Sequence, residues 1–341
     1  MNDRQYNIAV VGATGAVGEA MLGILAARNF PASAVVPLAS ERSAGKRVAL
    51  GSQSLTVQDL AEFDFSSTDI ALFSAGGSIS AEHAPRAAAA GAIVIDNTSH
   101  FRNDPDIPLI VPEVNPHDLA GYTARNIIAN PNCSTIQMVV ALKPLEDAVG
   151  IERINVVTYQ AVSGTGKEAI EELASQSAQL LNGRPVESRV YPKQIAFNVL
   201  PHIDSFQENG YTREEMKMVW ETRKIFGRSD LAVNPTTARV PVFYGHSEAV
   251  HLELREALSA ERARELLDGA PGVTVLDGRV DGGYPTAVTE AADHDPVYVG
   301  RIREDLSHER GLDLWVVADN VRKGAALNSV QIAELLIKDH V

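Results

Sequence analysis

The chain has 341 residues, a formal net charge of −14 at pH 7 and one cysteine. The acidic balance argues against a nucleic-acid partner, which needs basic patches, but not against small anions held by a few local arginines. A single cysteine excludes an intrachain disulfide and suggests a reducing, cytoplasmic setting. The opening Met1-Asn2-Asp3-Arg4-Gln5-Tyr6 carries no signal-peptide pattern, and no apolar run is long and unbroken enough to predict a membrane span. The length predicts two domains.

The first third alternates strand and helix. Apolar runs predict strands over 6–11, 34–38, 69–73 and 92–96, with helices over 15–28 and 79–90 and Gly91 placed to end the second. This alternation implies parallel βαβ units covered on both faces. The first strand runs into Gly12-Ala13-Thr14-Gly15-Ala16-Val17-Gly18 and then a helix. Glycines 12, 15 and 18 allow a tight turn, a close backbone approach to phosphate, and close helix–strand packing. The spacing GxxGxxG is a variant of the dinucleotide fingerprint, and its position after the first strand favours a dinucleotide over a bare turn. At the end of the second strand, Arg42 and Ser43 favour a 2′-phosphate and hence NADP, whereas Glu41 would suit a free ribose hydroxyl. Ser74-Ala75-Gly76 ends a later strand, where small residues let a nucleotide lie close or simply make a turn.

Cys133 lies in Asn130-Pro131-Asn132-Cys133-Ser134-Thr135 and precedes an apolar run with helical spacing. A residue before proline is pushed to extended geometry, so a helix is predicted to begin at or near the cysteine. A thiol there faces unpaired N–H groups and the positive end of the helix dipole, which favour the nucleophilic thiolate. The plainer alternative is a small buried hydrophobe.

From Gly150 the runs become longer and more alternating. Strands are predicted over 154–162, 249–254, 296–303 and 312–318, and helices over 167–181, 212–226 and 260–267, giving an α+β domain on a mostly antiparallel sheet. A last helix is predicted over 323–338. Polar residues stand out in four places: Gln160 before a small-residue loop, Arg102 after a strand end, Glu221 and Lys224 three apart on one helix face, and Arg239 leading to His246. The plain alternatives are a surface pair for Glu221 and Lys224, a surface arginine for Arg239, and a structural or exposed residue for His246. His246 and His251 are an odd number apart, so on one strand only one of them could share a site with Cys133. No metal-ligand spacing is present, so no metal is expected.

Taken together, GATGAVG at 12–18, SERSAGK at 40–46, FSAGG at 73–77, DNTSHFR at 96–102, VPEVN at 111–115, NPNCST at 130–135, QAVSGTGK at 160–167, WETRKI at 220–225, RVPVFYGHSE at 239–248, and DN with RKGAALN at 319–328 resemble the aspartate-β-semialdehyde dehydrogenase family, in its shorter bacterial branch. The resemblance runs nearly end to end. It implies an N-terminal Rossmann domain (1–131 with 322–341) and a catalytic and dimerisation domain (132–321) like that of glyceraldehyde-3-phosphate dehydrogenase. It implies Cys133 as nucleophile, His246 as acid/base, and Gln160 as the group that orients the acyl carbonyl or assists the intermediate. Arg239 would bind the substrate α-carboxylate and Glu221 its amino group, while Arg102, Lys224 and Asn132 would hold phosphate. NADP would contact Gly12, Thr14, Gly15, Ala16, Val17, Gly18, Ser40, Arg42, Ser43, Ser74, Ala75, Gly76, Ser163, Gly164 and Asn320. The implied reaction is NADPH-dependent conversion of aspartyl-4-phosphate to aspartate-4-semialdehyde and phosphate, in lysine/diaminopimelate, threonine and methionine biosynthesis, by a homodimer or tetramer. N-acetyl-γ-glutamyl-phosphate reductase is the nearest rival. It typically has glycine before the cysteine and an aromatic after it, where this chain has Asn132 and Ser134. A catalytically inactive dinucleotide-binding protein is the rival of a different class.

Overall fold

The buried run of the first strand sets the centre of the first sheet. In the computed structural model, which describes residues 4–340, β1 spans Tyr6–Val11 and is almost wholly buried, as a parallel strand covered on both faces must be. Residues 1–3 of the stretch read for a targeting signal lie outside the described residues. The chain continues through α1 (Ala16–Ala27), β2 (Ala32–Ala39), the hairpin β3 (Arg47–Leu50) and β4 (Gln53–Thr56), β5 (Gln58–Asp59), β6 (Ile70–Phe73), α2 (Gly77–Ala89), β7 (Ile93–Asp96) and β8 (Ile127–Ala129). The sheet order is β5-β2-β1-β6-β7-β8, with every pair parallel. Strand order reverses at β1, so the crevice outside the carboxyl ends of β1 and β6 is the topological switch point where such folds bind ligands.

Cys133 opens α3 (Cys133–Val149), followed by β9 (Ile151–Gln160), α4 (Lys167–Leu181), α5 (Arg213–Phe226), β10 (Ala232–Arg239), β11 (His246–Leu254), α6 (Ala260–Asp268), β12 (Val273–Val275), β13 (Val297–Glu304) and β14 (Gly311–Ala318). These strands form a second sheet in the order β10-β9-β11-β14-β13-β12. The three inner pairs are antiparallel, whereas both outer pairs, β10–β9 and β12–β13, are parallel, so the sheet is mixed. Helix α3 packs across β9, β11, β13 and β14. The opposite face leaves Val157, Tyr159, Ala249, His251 and Trp315 at least partly exposed.

The last helix is shorter than expected. A π-helical turn, Arg322–Ala326, precedes α7 (Leu327–Asp339). Val330, Ile332, Ala333 and Leu336 of α7 join one core cluster with Tyr6, Ile8, Leu22 and Leu25. Asn328 donates to the Ile110 carbonyl (3.0 Å) and to Asn130 Oδ1 (2.7 Å). The chain thus divides into two compact units, Met1–Asn132 with Ala325–Val341, and Cys133–Gly324. Among the described residues, no helix is long and apolar enough to cross a membrane.

Candidate active site

In the second unit, α3 begins at Cys133, after a segment that Pro131 keeps extended. The thiol is partly exposed. A Cβ added at Gly324 would fall 2.8 Å from the Cys133 Cβ, so only glycine lets the π-helical turn pass this closely. Cys133 Sγ lies 3.3 Å from His246 Nε2, the first residue of β11. His246 Nδ1 accepts the Ala161 N–H at 3.0 Å. A neutral imidazole has one N–H, which must then sit on Nε2 and point at the sulfur, leaving the sulfur as acceptor. The ring is fully buried, and this burial, reinforced by the Arg239 guanidinium and partly opposed by Glu214, holds its pKa down at about 3. His246 is therefore neutral at physiological pH. His251 lies on the other face of β11, between Asp313 (3.0 Å) and Asp305 (3.6 Å).

Gln160 and Arg239 end β9 and β10 in register with one another. Gln160 donates to Thr158 Oγ1 and to Glu214 Oε1, each at 3.3 Å. Lys217 holds Glu214 (3.0 Å) and Asp204 (2.8 Å). Sequence reasoning missed this relay. Glu214 and Lys217, three apart on α5, look like any surface pair until Glu214 proves buried. Arg239 donates through Nη1 to the Ala161 carbonyl at 2.7 Å, while its buried Nε has no partner. A Cβ at Gly164 would lie 3.1 Å from Arg239 Nη1 and 3.5 Å from the His246 ring, so the glycine keeps the space beside both groups open. Ser163 and Asn320 are hydrogen-bonded to each other, and Asn320 Oδ1 accepts the Gly245 N–H at 2.9 Å, fixing the turn into His246.

Helix α5 owes its start to a capping box between Thr212 and Glu215 and its end to Gly227 in the left-handed region at φ 63°. It carries Glu221, only 1% exposed, and the half-buried Lys224. Burial of Glu221 removes the plain surface-pair reading for that residue. Arg239→Leu is expected to raise KM for a carboxylate-bearing substrate by roughly ten- to a hundredfold through loss of a bidentate partner. A smaller fall in kcat should accompany it, because Nη1 also braces Ala161. Steady-state kinetics check this, and an unchanged KM would exclude a binding role.

In the first unit, Gly12 takes φ +85°, and a Cβ there would meet the Ser74 carbonyl oxygen at 2.5 Å. A Cβ at Gly18 would fall 2.2 Å from the Gly12 oxygen. The loops after β1 and β6 thus pack backbone to backbone at the switch point. Gly15 and Gly76 are the N-caps of α1 and α2, and neither helix receives a side-chain cap, which suits a phosphate at their first-turn N–H groups. Beyond β2, Arg42 is exposed and Lys46 reaches Ser43 Oγ at 3.3 Å. These residues fit a phosphorylated dinucleotide. Arg102 and Asn132 are buried, and Arg102 donates to the Asn97 carbonyl at 2.9 Å. Its loop is tied down by Asp96, whose carboxyl accepts from Ser80 and Thr98 and whose pKa burial nevertheless raises.

Residues 7–122 match the family model described as semialdehyde dehydrogenase, NAD binding domain, and residues 142–323 that described as semialdehyde dehydrogenase, dimerisation domain. The aspartate-semialdehyde dehydrogenase of Legionella pneumophila is 64% identical over 336 residues, covering 98% of this chain and 97% of that protein. The chain belongs to the aspartate-semialdehyde dehydrogenase family. Among solved structures of that family, aspartate semialdehyde dehydrogenase II of Vibrio cholerae, complexed with ASA, superposes with a TM-score of 0.97 at 59% identity, covering 99% of this chain and all (100%) of that one. The Candida albicans enzyme with NADP gives a TM-score of 0.76 at 27% identity, covering 98% and 99% of the two chains. The family is one of NADP-dependent oxidoreductases.

Proposed function

We propose that the chain reduces L-aspartyl-4-phosphate to L-aspartate-4-semialdehyde, releasing phosphate, with NADPH as reductant. The observation that carries this reading is the sulfur of Cys133 at a helix N-terminus, 3.3 Å from the Nε2 atom of a neutral His246. Cys133 sulfur attacks the acyl carbon, the bond to the phosphate oxygen breaks, and a thioester forms. NADPH, when bound, supplies the hydride for the acyl carbon. The carbonyl then re-forms, the C–S bond breaks, and the sulfur returns as thiolate to the Nε2–H. His246 serves as the acid/base group at Nε2, donating to sulfur or to the acyl oxygen, whichever holds the negative charge. Gln160, braced by Glu214, orients the acyl carbonyl. Arg239 holds the α-carboxylate and Glu221 the amino group. Lys224, with Arg102 and Asn132, holds phosphate. Ser163, Gly164 and Asn320 join Gly12–Gly18, Ser40, Arg42, Ser43 and Ser74–Gly76 in holding NADP.

Residues 1–131 with 322–341 form the cofactor half, and 132–321 the catalytic half. The match to a dimerisation domain and the partly exposed sheet face bearing Tyr159 and Trp315 support a homodimer. A cytoplasmic location fits a biosynthetic enzyme of lysine, threonine and methionine formation. The rival acylated substrate lacks the free amine that this reading assigns to the buried Glu221. The deciding assay is NADP reduction with aspartate semialdehyde. It should require phosphate, and phosphate-independent reduction, or preference for the N-acetylated glutamate analogue, would contradict the reading.

Cofactor preference has its own test. The 2′-phosphate carries close to two negative charges, and a charge-assisted contact is worth ~1.5–3 kcal/mol. Arg42→Ala is therefore expected to raise KM for NADPH by roughly ten- to a hundredfold while leaving NADH little changed. Glu41 predicts some tolerance of NAD in the wild type. Equal losses with both cofactors in kcat/KM would assign the 2′-phosphate to another group.

A further inference from the structure

Behind the Cys133–His246 pair lies a second pair that the reaction scheme does not use. On α3, Cys133 and Gln137 are one turn apart and face the same way. On β11, His246 and Glu248 alternate onto one face. Gln137 Nε2 donates to the His246 carbonyl at 3.5 Å. The Gln137 carboxamide is also the polar side chain that acts on the Glu248 carboxyl. Both side chains are completely buried. Yet neither carboxyl oxygen of Glu248, nor Oε1 of Gln137, receives a donor. The cross-strand neighbours of Glu248 are Thr158 and Val316, and no cation among the described residues acts on it. The titratable side chains that α3 and β11 bring nearby are Cys133 and His246.

Three buried acceptors with no donor among the described groups are satisfied by one proton. Turning the Gln137 carboxamide over would offer its NH2 group to Glu248 but set Oε1 against the His246 carbonyl, acceptor to acceptor. A proton on Glu248 satisfies both ends at once: the carboxyl O–H donates to Gln137 Oε1, and Gln137 Nε2 donates to His246. We propose that Glu248 is a positioning residue, held as a neutral carboxylic acid, whose proton fixes Gln137 and through it the backbone that presents His246 to Cys133. Burial without a counter-charge pushes its pKa well above the carboxylate range, in the same sense, and the Gln137 carboxamide opposes this only in part. The positioning role rests on reading Cys133 and His246 as the reacting pair, whereas the protonation state does not.

Glu248→Gln keeps the shape and a donor. Glu248→Met removes the donor. A carboxyl whose folded-state pKa is raised binds its proton more tightly in the native than in the unfolded chain. Wild-type stability should therefore fall as pH rises above the ordinary carboxylate range, until the raised pKa is passed. Above the ordinary carboxylate range and up to the raised pKa, the folding constant of Glu248→Gln relative to wild type should climb with pH by up to about tenfold per unit. Wild type at neutral pH should show a carboxylic-acid C=O infrared band that the Gln variant lacks. A flat stability ratio, or no such band, overturns the neutral acid. In turnover, the Gln variant should stay within about threefold of wild type, whereas Met should lower kcat roughly tenfold with KM within about twofold. Equal kcat in the two variants overturns the positioning role. If Met does not fold, the position is read from Gln alone, where a loss beyond about tenfold overturns it and retention supports it. The stability and infrared arms need no turnover, so they fail separately from the functional reading.

Discussion

Cys133→Ser is expected to lose turnover by on the order of a thousandfold or more, with folding intact. An alkoxide is not available at neutral pH, whereas a thiol at a helix N-terminus, facing an Nε2–H, is readily held as thiolate. The hydroxyl also leaves poorly from the ester it would form, so both halves of the reaction suffer. Cys133→Ala should fold as well as wild type, because it removes one partly exposed sulfur and leaves the close approach of Gly324 undisturbed. Steady-state rates and thermal melts of the two variants check this. Near-normal turnover in Cys133→Ser would remove the cysteine from the mechanism.

His246→Asn is expected to lower kcat by roughly two to four decades with little change in substrate KM. A large rise in KM with kcat intact would make His246 a binding residue. The fully buried ring also predicts a pH dependence of stability. Its folded pKa, about 3, lies below the ordinary 6.5 of the unfolded chain. Stability from this group is then present above pH 6.5 and lost as pH falls through the window between the two values, at roughly 1.4 kcal/mol per unit. Acid melts of wild type should steepen relative to His246→Asn across that window. Identical slopes would show that the ring takes up a proton in the folded protein.

Much of this fold was legible because local signals agreed with tertiary demand. The start of α3 at Cys133 follows from Pro131, and α4 spans the predicted 167–181. Thr212 was expected inside α5 and proves to be its cap, a boundary difference that its side-chain hydrogen bond to Glu215 explains. Strand β10 was not foreseen. Asn234, Pro235, Thr236 and Thr237 do not read as a strand, and proline is tolerated there because β10 is an edge. Its parallel pairing, and that of β12, gives the mostly antiparallel sheet its two parallel outer pairs. Residues 154–162 and 249–254 were predicted, whereas β9 and β11 span Ile151–Gln160 and His246–Leu254, because neighbouring strands extend pairing into polar sequence. The predicted 323–338 helix breaks at the π-helical turn, where Gly324 must pass the Cys133 Cβ, a constraint invisible in one dimension.

The site was legible where chemistry demands unusual residues in a fixed setting: a lone cysteine after Asn-Pro-Asn, or a glycine loop after a first strand. The supporting polar groups were not. Gln137 reads as one polar residue in an apolar helix, Glu248 as a polar residue just ahead of a predicted strand, and Glu214 as half of a surface pair. Only burial distinguishes them, at 0%, 0% and 5% exposure. Ala161 could not be found at all, since its contribution to His246 is a backbone N–H.

The most direct test of the Cys133 assignment is mass spectrometry of the protein mixed with aspartate semialdehyde and NADP in the absence of phosphate. The expected result is one aspartyl group in thioester linkage on the peptide containing Cys133, discharged when phosphate is added. Phosphate-dependent NADP reduction with no acyl group on Cys133, or with the group on another residue, would contradict it.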